Sequence, residues 1–281
     1  MWNDAYECAK ILAQFAVEAL IAELELTPKP GLVDLRSSGS HHNMDAKLMR
    51  ASAESLYECF EQMARAAYNS KPDQELREKL AFIGRAGEAQ MYAVTKGINT
   101  HRGAIWCLGL LIAGCSIHGK PITAELITAT AGKIASYEDR FAPNEQSNGM
   151  KVLEKYGMHG AREEARLGFP HVIDIGLPAL LKYRKQGCSE DVARLHTLLA
   201  IMNTLNDTCI LHRGGVAGLH DIQTRCKTVL ELGGLSTALG YKAYEQLERK
   251  MLQLQLSPGG SADLLAAVLF IDSVTVKIGG D

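Results

Sequence analysis

An excess of one charge sign, paired cysteines and alternating strand patterns are all missing from this chain, and each absence removes a class of function. With 30 Lys and Arg against 32 Asp and Glu the formal net charge is -2. No basic excess announces nucleic acid and no acidic run announces a solvated tail, so any anion site must be local. Seven cysteines, at positions 8, 59, 107, 115, 188, 209 and 226, form no CxxC pair, which argues against a disulfide framework or a zinc knuckle. They are expected to be reduced, mostly buried residues of a cytoplasmic protein. Asp4, Glu7 and Glu18 interrupt the first apolar pattern and no basic start precedes it, so a secretory signal is not expected. Nor does any apolar run approach membrane-spanning length, and no membrane partner is expected. The HExxH spacing, the Walker A lysine pattern and the dinucleotide fingerprint are also missing, which leaves His42 and His118 as loop or surface residues.

What is present is helical spacing. From Asn3 as N-cap, apolar residues recur at Ala5, Ala9, Leu12, Phe15, Ala16, Ala19 and Leu20 and continue to about Leu26. The "TPKP" that follows stops the helix, because proline cannot donate within a helix interior. The same spacing predicts helices near 45–68, 74–96, 103–116, 122–135, 145–156, 174–186, 189–204, 221–230, 234–254 and 261–277. No composition shift or linker divides the 281 residues. The expectation is an all-α fold, one multi-helix domain over residues 1–281, with ligand-binding loops at helix ends. The stretch "GAIWCLGLLIAGCS" is apolar on almost every face and reads as a central buried helix.

Six segments outside these helices combine glycine or proline with charged and hydrogen-bonding residues. They are "TPKPGLVD" (27–34), "GSHHNMD" (39–45), "GINTHRGAI" (97–105), the stretch 146–170 containing "YGMHGAREEARLGFP", "NDTCILHRGG" (206–215) and "SPGGSAD" (257–263). Helix N-termini offer unpaired N–H groups to phosphates, and glycine permits close backbone approach. Lys29, Arg102, Arg162 and Arg213 add the positive charge that suits a polyphosphate. Four carboxylates, Asp34, Asp45, Asp207 and Asp263, make sense if magnesium bridges carboxylate and phosphate or if one is a general base. The bland alternatives are that Asp45 caps a helix and that Asp263 favours the dipole of the last one. Glu163 and Glu164 beside Arg162 and Arg166 read as a salt-bridged helix surface. The triplet His-Arg-Gly occurs twice, at 101–103 and 212–214, and two such loops converging on one site is the favoured reading.

In order and over nearly the whole chain, these motifs resemble the triphosphoribosyl-dephospho-coenzyme A synthase family, with "QSNG" (146–149) and "REEA" (162–165) as small departures from its pattern. The resemblance implies an all-α enzyme that uses ATP and 3′-dephospho-coenzyme A and releases adenine. Its product is the prosthetic-group precursor for the acyl carrier subunit of citrate lyase or malonate decarboxylase, passed on by a holo-synthase. The reaction is glycosyl transfer at ribose C1′, with an oxocarbenium-like transition state that needs nearby negative charge, a base for the incoming hydroxyl and a donor for adenine. An α product linkage from β-configured ATP implies inversion in a single displacement.

On this reading Lys29, Arg102 and Arg213 meet phosphates, with Arg162 on the same substrate. His101 and His212 bind phosphate or protonate the base. Asp34, Asp45 and Asp207 are candidates for catalysis, Asp207 preferred as base, and Asp34, Asp45 and Asp263 are candidates for magnesium. Asn99 and Thr100 join His101 and Arg102 in one wall of the ATP pocket, and Gly31, Ser40, His41, Gly214, Gly259, Gly260 and Ser261 complete the substrate-binding set. A nucleotide N-glycoside hydrolase and a non-catalytic nucleotide-binding helical module are the competing readings. Apolar helices of less than membrane length also make a homodimer plausible.

Overall fold

In the computed structural model the described residues are 2, 4–118, 122–143 and 148–278, and among them thirteen α-helices, one π-helix and a single 3-10 turn account for the regular structure. The α-helices are α1 (Ala5–Glu25), α2 (Ala46–Ser55), α3 (Tyr57–Ala67), α4 (Gln74–Val94), α5 (Arg102–Ile117), α6 (Ala124–Ala135), α7 (Asn148–Tyr156), α8 (Ala161–Arg166), α9 (Leu177–Lys185), α10 (Glu190–Thr204), α11 (Thr208–Glu231), α12 (Ala238–Gln253) and α13 (Gly259–Lys277). The π-helix His171–Gly176 leads directly into α9. The all-α expectation is met.

Local chemistry explains where the helices begin. Asp4, Asp45, Asp73, Thr123, Ser189, Asp207 and Thr237 each stand at an N-cap and accept a first-turn N–H. Each such cap stabilises its helix by about 1 kcal/mol relative to alanine. The cap of α1 is Asp4, which accepts from the Tyr6 and Glu7 N–H groups at 2.8 and 2.7 Å; Asn3, the cap expected, lies outside the described residues, as do Gln146 and Ser147.

Two helices form the centre. α5 is buried along almost its whole length, as expected, and packs on α3, α6 and α13. α13 corrects the sequence reading on membrane length: its 19 residues reach a mean hydropathy of 1.5, long and apolar enough to cross a bilayer. Its apolar surface is instead covered by α1, α5, α10 and the π-helix, which makes it a core helix. At the α5–α6 crossing the backbones nearly touch, because a Cβ on Gly114 would stand 2.5 Å from the Ile127 carbonyl oxygen.

Other boundaries also differ. The helix expected over 45–68 breaks at Leu56 into α2 and α3. The segment 206–215, expected as a loop, is helical from Thr208. It carries a kink where Gly215 adopts φ 63°, ψ -168°, a conformation open to glycine. Ile210 and Leu211 bury one face of that first section while His212 and Arg213 stay exposed on the other. Residues 161–166, also placed in a polar segment, form the short helix α8.

The α5–α6 crossing yields a contrast. Gly114→Ala drives a methyl against fixed backbone and should cost about 1–3 kcal/mol by overpacking. In Gly84→Ala the new methyl meets the flexible end of Met63 at 3.3 Å and makes ordinary contact with Ile105 Cγ2 at 3.8 Å, so helix propensity should leave stability level or raised by up to about 1 kcal/mol. Urea unfolding of both variants checks this, and equal losses would contradict the crossing geometry.

Candidate active site

Three helix N-termini, those of α5, α11 and α13, meet around two carboxylates. Asp207 caps α11, accepting from the Cys209 and Ile210 N–H groups at 2.9 and 3.4 Å through Oδ1. Its Oδ2 accepts from the Ser261 N–H at 2.8 Å and the Ser261 hydroxyl at 2.9 Å, in the first turn of α13. One side chain therefore bridges two helix ends. Asp263, one turn into α13, reaches the start of α5: it accepts the Ala104 N–H, and a Cβ on Gly103 would stand 2.0 Å from its Oδ2. Any side chain at 103 would expel that carboxylate.

The two carboxylates differ in what they have left to offer. Asp207 is buried and carries four donors, close to the full capacity of its lone pairs. Burial raises its pKa, opposed by the bonds from Ser261, Cys209 and Ile210. Asp263 is partly exposed, and burial of its carboxyl beside the negative charges of Glu23 and Asp207 pushes its pKa well above the usual carboxylate range. A carboxyl pushed up in this way keeps its proton to higher pH than an ordinary carboxylate does.

The remaining polar segments close around this centre. Lys29 Nζ donates to the Glu23 carboxylate at 2.5 Å and to the Glu23 carbonyl at 2.7 Å, a buried ion pair beneath the 27–34 loop. That loop is tied by Asp34, whose oxygens accept the N–H groups of Lys29, Arg36 and Ser37 at 2.8 to 2.9 Å. Gly31, at φ 72°, lies against the Leu256 carbonyl. Ser40 is buried, donating its N–H to the Gly31 carbonyl and its hydroxyl to the Met251 carbonyl. Arg213 Nη1 donates to the Ser40 and Gln255 carbonyls, both at 3.0 Å, and His41 Nε2 pairs with Ser257 at 2.9 Å. From the other side, Trp106 on α5 donates to the Ala161 carbonyl at 3.1 Å, and Gly160 lies against Thr208 at the start of α11. All six polar segments are thus in contact with the helix-end centre or with one another.

Against this geometry, the comparisons with known proteins are direct. Residues 9–280 match the family described as CitG, ATP:dephospho-CoA triphosphoribosyl transferase. The chain belongs to this transferase family. A relative from Stutzerimonas stutzeri is 50% identical over 275 residues, covering 97% of this chain and 94% of its own, and one from Azotobacter vinelandii is 48% identical over 273 residues, covering 96% and 94%. Both are named probable 2-(5''-triphosphoribosyl)-3'-dephosphocoenzyme-A synthase. A crystal structure from Archaeoglobus fulgidus, named for the triphosphoribosyl-dephospho-coA synthases, superposes with a TM-score of 0.51 over 82% of this chain and 98% of its own at 15% identity, a likeness of fold.

The two His-Arg-Gly triplets of the transferase do approach a common element, though through their glycines. Gly103 receives Asp263, and Gly214 receives Leu256, whose Cδ2 would stand 2.8 Å from a Cβ there. The side chains diverge. His101 is buried, its Nδ1 paired with Ser52 at 2.8 Å and its Nε2 without a partner among the described residues; His212 is exposed. Thr100 shares the Ser52 hydroxyl at 2.6 Å, while Asn99 accepts the Arg102 N–H at 3.3 Å near the start of α5. Arg102 pairs with Glu88 at 3.0 Å, and Arg162 is exposed on α8. Asp45 is exposed and caps α2 through the Leu48 N–H, the bland alternative for that residue. Gly259 and Gly260, at the start of α13, lie against Cys209 and Asp207.

Sequence reasoning missed Glu23, Ser52, Glu164 and His171. Glu164 is a correction: it is buried, with both oxygens taken by His171, rather than part of a salt-bridged surface. The signal available was the apolar Ala165 beside it and the Phe169 that closes over the helix, both fully buried.

Burial, with the charge of Lys29 nearby, lowers the His101 pKa from 6.5 to about 4. A depressed folded-state value means that the unfolded chain binds the proton more tightly between those two points. His101 thus contributes stability that is complete above pH 6.5 and is lost as pH falls through 4, on the order of 3 kcal/mol in all. In His101→Asn the fall in unfolding free energy between pH 7 and 4 should be shallower than in the parent, read by urea titration; parallel slopes would remove His101 as the source.

Proposed function

We propose that the chain transfers the 5-triphosphoribosyl group of ATP to the 2′-hydroxyl of 3′-dephospho-coenzyme A and releases adenine. The observation that carries this reading is Asp263, a part-exposed residue whose buried carboxyl stands where three helix N-termini and six polar segments meet, in a chain matching the transferase family over residues 9–280. The acceptor 2′-hydroxyl oxygen forms a bond to C1′ and gives up its proton, while adenine leaves with the bonding electron pair of the C1′–N bond and takes up one proton, so the protons balance. Asp263, whose surroundings favour its protonated form, is assigned as that donor. The role of base expected for Asp207 passes from it, because its four donors leave no lone pair suited to a substrate hydroxyl; it acts instead as the buttress that places Ser261 and Asp263.

Arg102 and Arg213 are assigned to the triphosphate, where their part-exposed guanidinium groups can add phosphate oxygens to their present partners. Lys29 is committed to Glu23 and is assigned to shaping the floor. The carboxylates proposed for magnesium do not form a cage, since Asp34 is tied into its own loop by three backbone N–H groups and Asp45 is a helix cap. Magnesium would then come in as the chelate of ATP, where it would offset phosphate charge beside Arg102 and Arg213. Seven free thiols support a reducing compartment, the cytoplasm. The product serves the acyl carrier subunit of malonate decarboxylase or citrate lyase, and acceptance by the one or the other apo-carrier decides between them.

Chromatography of adenine after incubation with ATP and magnesium, with and without 3′-dephospho-coenzyme A, tests the reading. Adenine only with the acceptor, together with a triphosphoribosylated product, is expected. Release without acceptor indicates a hydrolase, and none under either condition overturns the assignment. Asp263→Asn should lower kcat by about 10²–10⁴-fold with thermal stability level or raised, since one of three crowded acids is removed. Asp207→Asn turns an amide donor toward existing donors and should cost about 1–3 kcal/mol of stability. Near-parental turnover in Asp263→Asn would remove it as the acid.

A further inference from the structure

The helix α8 and the π-helix carry a buried acid and a part-buried imidazole with no part in the chemistry assigned above. Glu164 Oε1 accepts the His171 backbone N–H at 2.8 Å and Oε2 pairs with the His171 ring Nδ1 at 2.7 Å. Burial alone would lower the His171 pKa. The bond and charge of Glu164, with a further bond from the ring to the Thr204 backbone, outweigh burial and raise it.

Thr204 is the last residue of α10, three positions before Asp207. The opposite end of α8 bears on the same stretch of chain, because a Cβ on its N-cap Gly160 would stand 2.7 Å from Thr208 Cγ2. Residues 204–208 therefore run between two contacts, one from His171 of the π-helix, which is held by Glu164 of α8, and one from Gly160 at the start of α8.

We propose that Glu164 and His171 are positioning residues for the transfer reaction: they clamp residues 204–208 so that Asp207 holds Ser261, and through it Asp263, in register with α5. The pair touches no reacting atom and works through the hydrogen bonds of Asp207. The inference rests on the functional reading above. A shift of about 1 Å in a group that orients a reacting pair costs on the order of 10²-fold in rate, and that is the scale of effect the clamp implies.

The test uses the full chain with His171→Ala, Glu164→Gln and His171→Asn, the last of which retains a donor able to reach Glu164. For His171→Ala and Glu164→Gln, kcat should fall about 10- to 100-fold with KM for ATP within about twofold, and His171→Asn should recover at least about tenfold over His171→Ala. Hydrogen exchange at the Cys209 and Ile210 amides, both bonded to Asp207, should rise in His171→Ala and be restored in His171→Asn. A rise in KM at unchanged kcat would make the pair a substrate contact and overturn the proposal, as would unaltered exchange at the two amides. If His171→Ala does not fold, Glu164→Gln carries both readouts. Exchange is measured without substrate, so failure of the transferase reading shows as an inactive parent chain and leaves the clamp separately decided.

Discussion

Three positive helix ends pointed at one another is an arrangement that needs negative charge between them, and Asp207 and Asp263 supply it. Each helix start exposes several N–H groups without intrahelical partners, and the dipoles of α5, α11 and α13 add to the same local potential. Asp207 joins α11 to α13 and Asp263 joins α13 to α5. The glycines of both His-Arg-Gly triplets follow from this, since one clears Asp263 and the other clears Leu256 on the approach to α13. So does the path of the 27–40 loop, which is pinned to Leu256 by Gly31 and to Arg213 through the Ser40 carbonyl.

That arrangement carries tension a purely structural helix junction would avoid. Glu23, Asp207 and Asp263 stand close enough to raise the Asp263 pKa, the Lys29–Glu23 pair is taken out of water, and His101 buries an unpartnered ring nitrogen. Buried ion pairs seldom stabilise relative to apolar packing, and unsatisfied polar atoms cost stability outright. Concentration of such features at one end of the central helices marks that end as the place where the fold yields stability to chemistry. The cleft of about 430 Å³ lined by Ile11 and Phe15 of α1, Tyr57 of α3 and Lys277 of α13 shows no comparable cluster of buried charges. It lies at the far end of α13, about 21 Å along the helix from Asp263.

Much of the fold was legible in the chain because a 3.6-residue period is a local signal. The buried α5, the cap of α2 at Asp45 and the stop at "TPKP" all depend on neighbours within a turn or two. The first section of α11 escaped because its polar triplet occupies the exposed face, and a run of His, Arg and Gly looks like loop until Ile210 and Leu211 are seen to be buried. At the site, the segments were legible and the roles were not. Whether Asp207 or Asp263 keeps a free lone pair depends on Ser261 and Gly103, and Glu164 shows its burial only once His171 folds back over α8. No local pattern reports pairings of that kind.

The bonds that create the centre join distant parts of the chain. Arg213 and Ser40 are separated by 173 residues, and Asp207 and Ser261 by 54. Helices form from near neighbours in microseconds or less, whereas contacts of this span wait for most of the chain to be in place. A half-folded molecule can therefore hold nearly all of its helical content and a large part of its apolar core while possessing no pocket at all. In this architecture competence to bind nucleotide is a report on completed topology, and a ligand drawn to the finished centre acts as a lock on the last step of folding.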